Sequence, residues 1–259
     1  MYQKELSRMI EAALVAKEKI MEIYNSHNLN VEIKEDNSPV TKADKAADKI
    51  IREILRKYFP TYDFLTEESD DDLSRLNNDY VFIVDPVDGT KDFIARDDEF
   101  TTNIALAYKN EVVAGVISIP ASGEIYYASK GDGAYYLSNG VSTKIHVNDK
   151  LDNLTCLTSV FHLNEEEKKL IEKHKDKIKN TIKRGSSIKA CHIAHGKAEI
   201  SYRMSPNTKE WDTAASQIIV LEAGGVFLEP DKSEIKYNRK DVYNRKGYII
   251  ANRIENFLI

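Results

Sequence analysis

Residues 80–93 read YVFIVDPVDGTKDF, in which an unbroken apolar and aromatic run over 80–84 ends directly at an aspartate. A run of this kind, rich in β-branched and aromatic side chains, forms a strand covered on both faces. Its end has to leave the core abruptly at Asp85, with Pro86 stiffening a turn and Gly89 permitting a tight one. Asp85 and Asp88, three positions apart, then project two carboxylates and the Val87 carbonyl into one small volume. Carboxylate, carbonyl and hydroxyl oxygens are hard ligands suited to Mg²⁺ or Mn²⁺. Thr90 adds a hydroxyl that can ligate a metal or orient a water. An Asp-rich surface turn has the same local composition, but a buried strand before it argues against that role. Phosphatases that form an aspartyl-phosphate carry D-x-D-G-T; here two residues separate the aspartates, so the strand-end geometry differs.

Around this segment the chain alternates blocks of helix and strand. Residues 7–24 carry apolar side chains at helical spacing, and residues 25–40 read as a loop ending in Asn37-Ser38-Pro39. Thr41 with Asp44 forms a capping-box variant that opens a second helix, stopped by Pro60. A short strand at 64–66 runs into Glu67-Glu68-Ser69 and an acidic loop. After residue 84, strands are expected at 102–108, 112–119, 125–128 and 134–137, punctuated by Asn and Gly turns into an antiparallel meander. The second half opens near residue 150 with a strand at 154–161 and a helix over 164–178. A helix from Gly185-Ser186-Ser187 to about His195, a strand at 199–203 and a helix around Trp211 ended by Gly224-Gly225 follow, then strands at 226–228 and 248–251. The class is α+β, layered.

Composition narrows the partners. With 37 Lys+Arg against 42 Asp+Glu, the net charge is −5, which disfavours a nucleic-acid polymer. No run approaches the roughly 18 apolar residues of a membrane helix, and the N-terminus alternates charged and apolar residues, unlike a secretory signal. Two cysteines give no disulfide framework, so a cytoplasmic setting is expected. Cys191-His192-x-x-His195 lacks a second Cys/His pair and reads as a packed helix face rather than a zinc site, and Cys156 as core.

Further carboxylates sit at element ends. Glu67 and Glu68 follow a strand, either at a site or in a solvated acidic loop. Asp44 lies on the apolar face of its helix, where capping and facing a metal are compatible roles. Asp212, at a helix start, is either a helix-dipole partner or a ligand aimed by Trp211 beside it. Together these acids fit a multi-metal oxygen-ligand site, in which two cations about 3.5–4 Å apart polarise a phosphate and activate water.

Three motifs in order, E-E-S at 67–69, D-P-V-D-G-T-K-D-F at 85–93 and W-D-T-A-A at 211–215 with A-G-G at 223–225, resemble the inositol monophosphatase superfamily of Mg²⁺-dependent, lithium-sensitive phosphatases. The resemblance runs from about residue 38 to about 229. Within it, D-G-T-K-D-F-I followed by E-F-T-T-N-I-A-L, and G-S-S-I-K-A-C with Arg203 and N-T-K-E-W-D, are similar to the CysQ-type 3'(2'),5'-bisphosphate nucleotidases. The departures are Lys91-Asp92 where that branch has Lys-Glu, and Ala215-Ser216 where it has Ala-Gly. Inositol monophosphatases place a sugar-binding glutamate seven residues before the W-D aspartate, where this chain has Ser205.

The resemblance implies a layered α-β-α-β-α sandwich, with the metal motifs in a unit over residues 1–150 and a second unit over 151–259 completing the metal site and binding substrate. It makes Glu67, Asp85 and the Val87 carbonyl ligands of one Mg²⁺, and Asp85, Asp88 and Asp212 ligands of another, with two or three ions in all and Mn²⁺ as a substitute. Thr90, with Glu67 or Asp44, orients the attacking water, and the Gly89 and Thr90 amides cradle the scissile phosphate. Ser186, Ser187, Lys189 and Arg203 are expected at a second phosphate, unless they are a helix cap and solvated cations. His162 is either a base-stacking side chain or surface. The implied substrate is a small phosphorylated nucleotide, 3'-phosphoadenosine 5'-phosphate or its 5'-phosphosulfate analogue from sulfur metabolism, and the implied assembly is a monomer or homodimer. An inositol or sugar-phosphate phosphatase, and a non-catalytic metal- or nucleotide-binding protein, are the alternatives.

Overall fold

The protein, seen in a computed structural model, is described over residues 2–26, 29, 31–33 and 39–259. Two helices lead the chain, α1 (Gln3–Tyr24) and α2 (Lys42–Tyr58). The expected loop between them contains two short strands, β1 (Glu32–Ile33) and β2 (Pro39–Val40), paired antiparallel. Asn37 and Ser38, the loop signal, lie outside the described residues. α2 starts as its sequence dictates. The Thr41 hydroxyl accepts the Ala43 N–H at 3.1 Å, and Asp44 accepts the Thr41 N–H at 2.8 Å.

A seven-stranded sheet follows, in the spatial order of the chain. It comprises β3 (Asp63–Thr66), β4 (Tyr80–Asp88), β5 (Thr101–Tyr108), β6 (Glu111–Ile119), β7 (Glu124–Ser129), β8 (Gly133–Ser138) and β9 (Val141–Ile145), with a short helix α3 (Thr90–Ala95) between β4 and β5. β4 to β9 make the expected meander with one strand more, because the mostly exposed residues of β9 carry no apolar signature. β4 also outlasts its apolar run. It pairs with β5 as far as Asp88, irregularly between Asp85 and Asp88, so the expected turn at Asp85 is a bulge within the strand.

The second sheet has the order β11-β10-β12-β14-β13. Its segments are β10 (Leu154–Thr158), α4 (Glu165–Lys173), β11 (Ile178–Lys183), α5 (Ile188–Ala194), β12 (Ile200–Arg203), α6 (Glu210–Glu222), β13 (Val226–Leu228) and β14 (Tyr248–Ala251). The helix expected over 164–178 stops at Lys173, and β11, which no periodicity announced, runs parallel to β10.

Covering β4 on both faces divides its side chains between two cores. Phe82 and Val84 pack with Ile104 and Leu106 of β5 under α1 and α2, while Val81 and Ile83 pack with Ala105 and Ala107 against α6. Each such large apolar side chain contributes about 1.5–3 kcal/mol on burial. α5 and α6 lie between the sheets, and α4 covers the far side of the second sheet through Leu170 and Ile171. The result is an α+β fold in the layer order α-β-α-β-α. Both cysteines are buried in it, and among the described residues no helix is long and apolar enough to cross a membrane.

Candidate active site

Strand direction brings the first acids together. β3 and β4 are parallel with Thr66 opposite Val84, so Glu67 and Asp85 leave the sheet level with one another, and the Glu67 N–H donates to the Val84 carbonyl at 3.2 Å. Asp85 is 1% exposed. Its Oδ1 accepts the Val87 N–H at 3.1 Å, an Asx turn that bends the chain toward Asp88. Asp212 arrives from the other half of the molecule, in the first turn of α6. Ligand oxygens of Asp85, Asp88 and Asp212 lie within 4.8 Å of one another.

Asp88 is held by one oxygen. Its Oδ2 accepts the Ser187 N–H and hydroxyl, both at 2.8 Å, and the Thr101 hydroxyl and Asn103 amide, both at 3.2 Å. Asn103 also donates to the Ser187 hydroxyl at 2.9 Å, closing the ring of donors. Asp212 is similarly fixed, its Oδ2 accepting the Lys209 N–H at 2.6 Å across the start of α6. Each carboxylate thus keeps an oxygen for the cluster.

Electrostatics make the cluster a poor home for bare carboxylates. Burial, then the charges of Glu67, Asp88, Asp212 and Asp44, push Asp85 well above the usual carboxylate range. Burial, then Asp88 and Glu67, push Asp212 up to about 7. Asp44 rises to about 6, through burial and the Glu67 charge, against the opposing hydrogen bonds from Thr41. Hard oxygens crowded into a buried, acid-rich corner fit a divalent cation, which would remove the repulsion.

Beside the cluster, the Thr90 hydroxyl lies 3.4 Å from Asp44 Oδ1 and 3.4 Å from the Val87 carbonyl. Gly89 has a left-handed backbone at φ +91°, and a Cβ there would meet the Ser186 Cβ at 3.1 Å. Glycine is therefore needed for both conformation and space. α3 begins at Thr90 directly after it.

Glu67, Asp88 and Asp212 form one wall of a cleft of about 650 Å³, lined also by Gly89, Thr90, Ser186, Ser187, Lys189 and Arg203. The structure brings these expected residues together but gives several a partner already. Ser187 serves Asp88, as above. Lys189 donates to the carbonyls of Arg184 at 3.2 Å and Ser186 at 2.6 Å, and burial lowers its pKa. Arg203 donates to the His162 carbonyl at 2.9 Å. His162 lines the cleft, its pKa lowered to about 4 by burial and the neighbouring cations, so it is neutral at physiological pH. Lys91, Lys209, Tyr243 and Tyr248 line the cleft too and were not anticipated. Lys209 rests over the Trp211 ring at 5.2 Å and the Tyr243 ring at 5.5 Å, a contact between residues distant in the chain. The Cys191-His192-x-x-His195 segment packs as a helix face: Cys191 is buried, and the His195 ring lies 4.8 Å from that of Tyr136.

The chain belongs to the inositol monophosphatase family, whose model matches residues 2–258. It is 34% identical over 248 residues to the 3'(2'),5'-bisphosphate nucleotidase CysQ of Salmonella typhimurium, covering 95% of this chain and 99% of that one. With the CysQ of Buchnera aphidicola it shares 38% identity over 229 residues, covering 86% of this chain and 84% of the relative. Among solved structures, CysQ from Bacteroides thetaiotaomicron superposes with a TM-score of 0.85 at 37% identity, over 98% of this chain and 99% of that one. The suhB protein of Bartonella henselae gives 0.81 at 28% identity, over 96% and 94%. The metal dependence of this family accords with the acidic cluster.

Proposed function

We propose that this chain is a Mg²⁺-dependent 3'(2'),5'-bisphosphate nucleotidase. It removes the 3'-phosphate of 3'-phosphoadenosine 5'-phosphate to give AMP and phosphate, and acts on the 5'-phosphosulfate analogue in the same way. The observation that carries this reading is a cleft lined by cations beside the acid cluster: Asp88 and Asp212 share its wall with Lys91, Lys189 and Arg203. A single phosphate monoester needs the cluster; cations around the same cleft suit a substrate that carries a second phosphate.

Glu67, Asp85 and the Val87 carbonyl would hold one Mg²⁺, and Asp85, Asp88 and Asp212 a second. Bound there, Mg²⁺ supplies Lewis acidity to the scissile phosphate and a water of lowered pKa. Thr90, whose hydroxyl lies 3.4 Å from Asp44, would orient the attacking water in line with the bond to the 3'-oxygen. The water oxygen would bond to phosphorus and give up a proton as the bond to the 3'-oxygen breaks, and the departing 3'-oxygen would take up one proton, so that one water is consumed and the ribose hydroxyl and inorganic phosphate are released. The Gly89 and Thr90 amides, at the turn into α3, would donate to the oxygens of the scissile phosphate. Ser186, Lys189 and Arg203, which line the same cleft, would take the second phosphate, with Ser187 supporting from its place on Asp88.

An inositol or sugar-phosphate phosphatase is the competing reading. Against it stands Ser205, which lines the cleft where a sugar-binding glutamate would be required. Asp88→Asn tests the enzyme against a mere binder. Phosphate release with Mg²⁺ is expected to fall by about 10²-fold or more; undiminished release would overturn the ligand assignment.

A further inference from the structure

Resting on the metal site proposed above, we infer that Arg75 and Glu210 are positioning residues that lock the two halves of that site together, and that their function is cation affinity rather than chemistry. Glu67 and Asp85 belong to the first sheet, whereas Asp212 stands on α6 in the second half of the chain. A cluster assembled from separate elements binds a cation well only if their spacing is set before the ion arrives.

Beside the direct packing of α6 on the first sheet, a continuous chain of buried and part-buried hydrogen bonds ties the segment after Glu67 to the start of α6. Arg75, in the acidic loop that follows Glu67, is 1% exposed despite being the largest side chain buried to that degree. Its guanidinium donates to Asp71 at 2.7 Å, to Asn238 Oδ1 at 2.8 Å and to the Arg239 carbonyl at 2.9 Å. Asn238 returns a bond, from Nδ2 to the Arg75 carbonyl at 3.1 Å. The same two residues then reach α6. Glu210, 0% exposed, accepts the Asn238 N–H at 2.6 Å, the Arg239 N–H at 2.8 Å and the Arg239 Nε at 3.1 Å. Arg239 also donates to Asn244 Oδ1 at 2.8 Å, and Asn244 donates to the Lys209 carbonyl at 2.9 Å, just ahead of Asp212.

Every strong partner of Arg75 is thus either in its own loop or in the segment that grips the start of α6. Arg75 and Glu210 meet through Asn238 and Arg239, so the network joins the segment that follows Glu67 to the helix that carries Asp212. Buried charge networks are a costly way to stabilise a fold and an effective way to specify one geometry. Neither Arg75 nor Glu210 is among the residues lining the cleft, so neither touches substrate.

The test is a titration of the substrate-free protein with Mn²⁺, free ion being read by electron paramagnetic resonance, on wild type, Arg75→Met and Asn238→Ala. The second variant keeps Arg75 and the backbone bonds to Glu210, and so is the milder break. Thermal midpoints are recorded alongside, with a helix-surface variant of matched midpoint as control. Both variants are expected to bind Mn²⁺ about tenfold more weakly than the control, while turnover at saturating Mg²⁺ stays within about threefold of wild type. If they lose thermal stability but bind Mn²⁺ like the control, the network is structural and the inference falls. If Arg75→Met does not fold, Asn238→Ala alone decides. Absence of Mn²⁺ binding in wild type would instead overturn the metal site itself.

Discussion

Ser187 donates twice to a single oxygen of Asp88, from its backbone N–H and from its hydroxyl, each at 2.8 Å. This contact joins the start of α5 to the end of β4, and with Thr101 and Asn103 it saturates one side of the carboxylate. The orientation of a proposed metal ligand is therefore set by an element 99 residues away in the chain.

Ser187→Ala keeps the backbone donor and removes the hydroxyl. Because outer partners fix first-sphere ligands, the Mg²⁺ concentration for half-maximal phosphate release should rise about tenfold. The KM for substrate at saturating Mg²⁺ should change far less. The check is a Mg²⁺ titration of phosphate release, and an unchanged half-saturation would contradict this role.

The acid cluster makes the metal-free protein sensitive to pH. Asp44, at about 6, and Asp212, at about 7, both stand above their ordinary value of 3.8. Each binds its proton more tightly folded than unfolded. Between about pH 4 and about pH 7 the folded state therefore carries the extra protons, and stability falls as pH rises through that window. His162 and His192, both lowered to about 4, act in the opposite sense below about pH 6.5, so the readout is the difference between midpoints with saturating Mg²⁺ and in chelator. That difference should widen from pH 5 toward pH 7.5; a difference that narrows over this range would contradict the assignment.

Thr90→Val preserves shape and deletes the hydroxyl placed between Asp44 and the Val87 carbonyl. If that hydroxyl orients the attacking water, kcat should fall about 10²-fold, with little change in Mg²⁺ half-saturation. Stopped-time phosphate assays across Mg²⁺ concentrations separate the two quantities.

Much of this site was legible in local pattern. The buried run at 80–84 and the Thr41/Asp44 cap each depend on neighbours within a few residues and are found where expected, whereas the strand continues through Asp85 to Asp88 because β5 pairs with it there. What escaped depends on distant partners. β11 is exposed over all but Ile178, so no apolar period marks it, and only pairing with β10 makes it a strand. The bond from Ser187 to Asp88 has no local signal, because the two residues stand 99 positions apart. The burial of Arg75 has no local signal either, since its partners at 238–239 lie far along the chain.

Arg203 offers a charged fork to the cleft from the end of β12. Arg203→Met should reduce kcat/KM on 3'-phosphoadenosine 5'-phosphate by about 10–100-fold, the value of charge-assisted hydrogen bonds to one phosphate. On a nucleoside 3'-monophosphate lacking the 5'-phosphate the loss should be small. Equal losses on both substrates would place Arg203 at the scissile phosphate or in the scaffold.

The most direct measurement compares kcat/KM for 3'-phosphoadenosine 5'-phosphate and for inositol 1-phosphate, on wild type under saturating Mg²⁺. The cationic cleft and Ser205 predict a preference of about 10²-fold or more for the nucleotide bisphosphate. Clear preference for the inositol ester would contradict the nucleotidase reading.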